Sequence, residues 1–214
     1  MKTGDEAMAA EADHAVHLEK LKQDPKKIGE ISTVVNEAAA AAGRQCGDCS
    51  MCCKLPAIED EELSKPAHQW CQHARPGSGC AIYETRPAAC RAFLCCWLTL
   101  EDMGPHWKPN KCKMVVSYRR NHQFGGRGYI VNLDRNHPNA WRRSPYYEEL
   151  KARSGKFRIE IIVSDRCRVL MCPDQDVYFD PAIETVMFDD RDRVKGVLPI
   201  EEARKLGRPR NFQA

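Results

Sequence analysis

Cys46, Cys49, Cys52 and Cys53, in the run CGDCSMCC, place four thiols within eight residues. A Cys-x2-Cys turn can point two sulfurs at one ion while nearby backbone N–H groups stabilise the thiolate charge, which is why this spacing recurs in zinc sites. Thiolate-rich sites suit zinc, iron and iron–sulfur centres alike. The chain carries 12 cysteines in 214 residues, and nine of them fall between Cys46 and Cys96, so the enrichment is local. Cys52 and Cys53 are adjacent, and consecutive side chains diverge by about 100° on a helix and to opposite faces on a strand. They are therefore not expected to serve one single ion: either one of them packs or faces a second metal, or the centre is polynuclear.

A structural zinc site takes four ligands, and this run supplies one site with about three. The rest are expected from Cys71, Cys80, Cys90, Cys95 and Cys96. Cys71 and His73 are donors for a mixed site, the alternative for His73 being an exposed loop histidine. On a helix, residues three or four apart share a face, and Cys95 and Cys96 lie five and six beyond Cys90, so they are the weaker candidates. Cys112, Cys167 and Cys172 lie outside the cluster, and Cys167 and Cys172 read as packing residues at the ends of a strand.

Cysteine-dense chains either build disulfides in oxidising compartments or bind metal in reducing ones. Met1 to Asp24 is charged throughout and lacks the apolar stretch of roughly 7–15 residues that a secretory signal requires. No segment approaches the roughly 20 apolar residues of a membrane span. The expectation is a cytoplasmic location with no membrane partner. The formal charge of +3, from 33 basic and 30 acidic residues, gives no support to nucleic acid as a partner.

Downstream, Cys80-Ala81-Ile82-Tyr83-Glu84-Thr85-Arg86-Pro87-Ala88-Ala89-Cys90-Arg91-Ala92-Phe93 completes a second pattern, C-x-I-Y-x-x-R-P-x-x-C-R-x-F. Together with C-x2-C-x2-C-C it resembles the YkgJ-type cysteine-cluster family, described as a zinc- or iron-chelating domain. The resemblance covers roughly residues 44–97. It implies Cys46, Cys49, Cys52, Cys53, Cys80 and Cys90 as metal ligands, with Tyr83, Arg86, Pro87, Arg91 and Phe93 as motif residues. Arg86 and Arg91 have two readings: guanidinium groups offsetting the negative charge of a thiolate site, or surface ion pairs with Glu84 or Glu59. Pro87 suits the first turn of a helix carrying Cys90.

The bacterial ferredoxin pattern C-x2-C-x2-C-x3-C-P is matched at three positions, but its fourth cysteine falls on Pro56 and its proline on Ala57. Zinc and iron therefore both stay open. The same cysteine domain resembles that of flagellin lysine N-methylases, which implies S-adenosylmethionine-dependent methyl transfer to a protein substrate as an alternative. Gly125-Gly126-Arg127-Gly128 precedes a strand and reads as a hairpin turn rather than a nucleotide loop. A lesser alternative is nucleic-acid binding, prompted by Lys205-Leu206-Gly207-Arg208-Pro209-Arg210, an AT-hook-like core suited to a minor groove.

The elements that must position these groups follow from pattern. Residues 1–27 are polar and read as a flexible arm. Residues 28–43 favour helix through their alanines, with Gly43 as a C-terminal cap. The cysteine-cluster domain, 28–112, is loop-rich with a short apolar helix at 86–100; metal binding can supply the folding free energy such a region lacks. Strands are expected at 113–119, 128–133, 157–164, 167–172 and 177–179, with a helix over 141–154 opened by Ser144-Pro145. Residues 113–200 are thus a small α+β domain with a mostly antiparallel sheet, followed by a basic tail at 201–214. The fold class is α+β, its cysteine domain stabilised by metal.

Overall fold

The structure is a computed structural model that describes residues 37–206. The expected arm at 1–27, the first part of the leading helix and the Arg-rich end of the tail lie outside the described residues. The chain divides into two compact units, Met1–Arg120 and Asn121–Ala214. The fold is α+β.

In the first unit the leading helix ends at residue 41. Gly43, at φ +71°, takes the left-handed conformation that costs glycine little. Its N–H donates to the Ala40 carbonyl and that of Arg44 to the Ala39 carbonyl, the paired bonds of a Schellman cap. Arg44 then donates to the carbonyls of Trp97 (3.0 Å), Leu100 and Glu101 (2.7 Å), tying the entry of the cysteine loop to the helical segment that carries Cys95. Two short hairpins follow, β1 (Ile58–Glu59) with β2 (Ser64–Lys65) and β3 (Ala74–Arg75) with β4 (Gly79–Cys80). Helices α1 (Ala88–Ala92), α2 (Cys96–Thr99) and α3 (Pro109–Cys112) precede β5 (Met114–Arg119). Lys113 stands between α3 and β5 at φ +64°. The apolar interior of this unit includes Leu55, Met103, Trp107, Cys112, Met114 and Val115, all nearly or fully buried.

The single helix expected at 86–100 is two. Phe93 and Cys95 are extended (ψ 113° and 147°), so the chain leaves α1 and re-enters helix at Cys96. No Gly or Pro marks this break; Phe93, Leu94 and Cys95 all turn toward one cavity, which a continuous helix would not permit. Pro87 sits just before α1 instead of inside its first turn.

In the second unit, β6 (Gly128–Leu133) and β7 (Arg158–Ser164) pair in parallel, joined through α4 (Tyr146–Ser154), because a parallel pair needs a crossover. β7, β8 (Cys167–Met171) and β9 (Asp176–Phe179) then run antiparallel. The expected helix over 141–154 begins later, at Tyr146, after a short 3-10 turn at Ala140–Arg142; the Ser144–Pro145 peptide is cis. The β-branched residues of β6 and β7 bury Val131, Ile159 and Ile161 completely. A second cluster joins Phe124, Leu170, Cys172, Val177, Phe179 and Val186. Cys172 packs there, as expected of it.

A further hairpin, β10 (Glu184–Phe188) with β11 (Val194–Pro199), and a helix α5 (Ile200–Lys205) complete this unit. The sequence pattern marks neither strand, and α5 falls largely within the basic tail expected at 201–214. The hairpin tip, DDRDR, is held locally: the Asp189 carboxylate accepts from the N–H groups of Arg191 and Arg193, both at 2.9 Å. Gly125 (φ +83°) and Gly126 (φ +67°) form a tight turn closed by the His122 N–H donating to the Gly126 carbonyl at 2.8 Å, in keeping with a turn and not a phosphate loop.

Candidate metal centre

One cavity of about 210 Å³ in the first unit is lined by Cys46, Cys49, Cys52, Cys53, Cys71, Cys80, Cys90 and Cys95. All six cysteines singled out by the resemblance are on its wall, and none of the 12 cysteines is in a disulfide. Four local devices bring them there. Cys46 and Cys49 sit on a tight turn, the Cys49 N–H donating to the Cys46 carbonyl at 2.7 Å. Cys52 and Cys53 follow on a 3-10 turn, Met51–Cys53, whose buried Met51 anchors it. Cys80 ends β4, opposite Ala74. Cys90 lies on α1 and Cys95 at the start of α2.

The two outer loops touch closely. Gly79, at φ +89°, leaves no room for a side chain: a Cβ there would overlap the Gly47 carbonyl. Gly47 and Gly79 neighbour Cys46 and Cys80, so the absence of a Cβ is what lets these two cysteine segments meet.

Burial pushes the thiols of Cys46, Cys49 and Cys80 above their ordinary value, that of Cys90 up to about 11 and that of Cys95 up to about 12. Cys53 moves the other way, to about 7: the Cys52 thiol donates to its sulfur, and Lys65 and Arg86 favour its thiolate. The proton of this pair therefore stays on Cys52, whose own thiol is held well up. Among the cavity thiols whose pKa is shifted, Cys53 is the one lowered.

Hydrogen bonds and cations offset part of the burial cost of an anionic sulfur. Backbone N–H groups of Met51 and Asn110 donate to Cys49, that of Ile82 to Cys80, and those of Trp97 and Leu98 to Cys95. Tyr83 hydrogen-bonds Cys46, and the Arg86 guanidinium stacks on the Tyr83 ring at 3.7 Å. Arg86 lowers the pKa of Cys46, Cys53, Cys80 and Cys90, which is the charge-offsetting reading of that residue. Arg91 donates to the Arg86 carbonyl and so supports the segment. Phe93 and His73 line the cavity too.

Two features escape sequence reasoning. Lys65 is buried at 6 % exposure, its ammonium donating to the carbonyls of Lys54 (3.2 Å), Pro66 (3.1 Å) and Pro56. Burial lowers its pKa, against the opposing pull of thiolates at Cys71, Cys53, Cys52 and Cys90. Within ELSKPAH it reads as an ordinary surface lysine, and no sequence signal separates it. Cys95, weighed as the lesser candidate on the assumption of one helix, lines the cavity because α1 and α2 are separate; Cys96, at 1 % exposure, is not on the cavity wall.

The donor set fits a thiophilic ion in kind: eight thiols, backbone donors and cations around one cavity. Among the described residues, no three His, Cys, Asp or Glu side chains stand close enough together to hold an ion as they are placed. No helix among the described residues is long and apolar enough to cross a membrane. No family model, curated protein or solved structure matches the chain.

Proposed function

We propose that this chain is a cytoplasmic metal-binding protein that chelates zinc or iron, the latter as an ion or an iron–sulfur centre, through Cys46, Cys49, Cys52, Cys53, Cys80 and Cys90. The resemblance of its two motifs to the YkgJ-type family motivates the reading. The observation that carries it is the cavity on whose wall all six thiols lie with Arg86 and Tyr83 beside them. A core of this size does not require eight cysteines to gather, since aliphatic residues fill space without the reactivity of a thiol. The metal supplies Lewis acidity or redox capacity when bound; the chain's own groups bind and orient it. Cys53, whose pKa is lowered, offers the first thiolate, and Arg86 and Lys65 offset the charge that accumulates as further thiols lose their protons. Because ligation displaces thiol protons, apparent affinity rises with pH.

The test is elemental analysis and an ultraviolet–visible spectrum of protein purified without oxygen. Zinc or iron in stoichiometric amount is expected, with visible charge-transfer bands if the metal is an iron–sulfur centre, and Cys49→Ser should lose metal. Metal-free protein that neither takes up zinc or iron nor changes its folding when they are supplied would sink the reading.

A further inference from the structure

The Cys46–Cys49 turn is held in place by residues far along the chain. On its leading flank Arg44 donates to the carbonyls of Trp97, Leu100 and Glu101, 53 to 57 residues later. Within the turn stands Asp48, an exposed residue whose carboxylate nevertheless has both oxygens bonded to the segment that enters α3. One oxygen accepts from the Lys108 ammonium at 2.5 Å and the other from the Asn110 side-chain amide at 2.9 Å. Lys108 is itself held, its ammonium 5.6 Å from the centre of the buried Trp97 ring. Asn110 acts twice: its side chain holds Asp48, and its backbone N–H donates to the Cys49 sulfur. The internal shape of the turn is closed by the bond from the Cys49 N–H to the Cys46 carbonyl, which needs none of these groups. What they fix is where the turn lies.

We propose that Asp48 is a positioning residue: with Lys108 and Asn110 it clamps the Cys46–Cys49 turn to α3 and so sets where these two thiols stand on the cavity wall. The clamp serves the metal-binding reading above and rests on it, and none of its three side chains ligates the ion. An exposed ion pair contributes little to folding, because water and salt screen it and two side chains lose freedom in holding it. Its effect on a binding site is larger. Removing a group that orients metal ligands typically costs about 10–100-fold in affinity, since a misplaced ligand is lost to the ion. Charge alone predicts the opposite sign: the Asp48 carboxylate opposes the thiolate of Cys49, so deleting it would favour that thiolate and tighten binding. Weaker binding without Asp48 is therefore the mark of positioning.

The experiment compares the full-length wild type with Asp48→Ala and Lys108→Arg, all without oxygen. Affinity for zinc and for ferrous iron is read by competition with a chromophoric chelator. In the metal-free chains, hydrogen exchange is followed at the Asn110 amide, which reports whether the turn still lies against α3. Asp48→Ala should bind about tenfold or more weakly and exchange faster at Asn110, with its urea midpoint unmoved. Lys108→Arg, which keeps a cationic donor, should match the wild type in both. Binding by Asp48→Ala that equals or exceeds that of the wild type overturns the clamp, as does a loss in Lys108→Arg as large as that in Asp48→Ala. A wild type that takes up neither ion sinks the metal-binding reading instead; the clamp is then decided at Asn110, where unchanged exchange in Asp48→Ala refutes it.

Discussion

Replacing Gly79 by alanine tests how the two cysteine segments are brought together. Gly79 is buried at φ +89°, and an alanine Cβ would overlap the backbone oxygen of Gly47, which cannot swing aside as a side chain could. Two costs add. An L-residue held in this conformation costs of order 1–3 kcal/mol, and forcing an extra methyl into a close contact typically costs a further 1–3 kcal/mol. The expected loss is roughly 2–6 kcal/mol, a large part of the roughly 5–15 kcal/mol that holds a domain folded. Gly77, two residues away on the same β3–β4 turn at φ +81°, has nothing within 4 Å of the equivalent Cβ, so Gly77→Ala should carry the conformational cost alone. Urea unfolding of the two variants, followed by emission of the buried Trp97 and Trp107, separates the two contributions. Gly79→Ala should be the less stable by about 1–3 kcal/mol. Equal costs at the two positions would show that Gly47 and Gly79 do not abut and would remove the account of how Cys46 and Cys80 reach one cavity.

Alkaline pH should destabilise the metal-free protein. Cys90 and Cys95 are raised to about 11 and about 12 in the folded chain against an ordinary 9.0, so the folded state keeps protons that the unfolded state releases. Their contribution is fully present below pH 9 and is lost as pH climbs toward those values; a urea midpoint that stays level or rises between pH 8.5 and 11 contradicts this. Iodoacetamide at pH 7, with peptide mapping, should modify Cys53 ahead of the other cavity thiols, and Cys52→Ala or Lys65→Met should slow that labelling; uniform labelling would be inconsistent with the pair described here. In the second unit, Glu160 is 1 % exposed and accepts from the half-buried Arg168 at 2.7 Å with the buried His122 ring 3.4 Å away, so Glu160→Ala should cost about 1–3 kcal/mol through the lost charge-assisted hydrogen bond, measured by thermal or urea unfolding. A loss below about 1 kcal/mol would mean this buried pair contributes little.

Much of this chain is legible in its sequence. Sulfur spacing in CGDCSMCC and around Cys80 and Cys90 marks the candidate ligands because thiol chemistry and turn geometry are local. The runs that became β5 to β9 were legible because β-branched and aromatic residues cluster in them. Gly43 announced its helix end for an equally local reason, the low cost of a positive φ. Weaker signals failed: β10 and β11 are only half-buried, and the charged DDRDR tip between them resembles a loop, which it is, without announcing the strands on either side.

What tertiary structure decided concerns groups whose meaning lies in their neighbours. An isolated lysine such as Lys65 has no sequence mark of burial; the carbonyls that receive it come from Lys54, Pro56 and Pro66 folding around it. The break between α1 and α2, which turns Cys95 to the cavity, follows from which side of the segment finds partners, not from local propensity. Likewise no spacing rule says that Cys71 and Cys95 line the same cavity as the other six cysteines. Sequence determined which atoms could bind a metal, since that is a property of the residues; their grouping is a property of distances between segments far apart in the chain, and only the fold sets those.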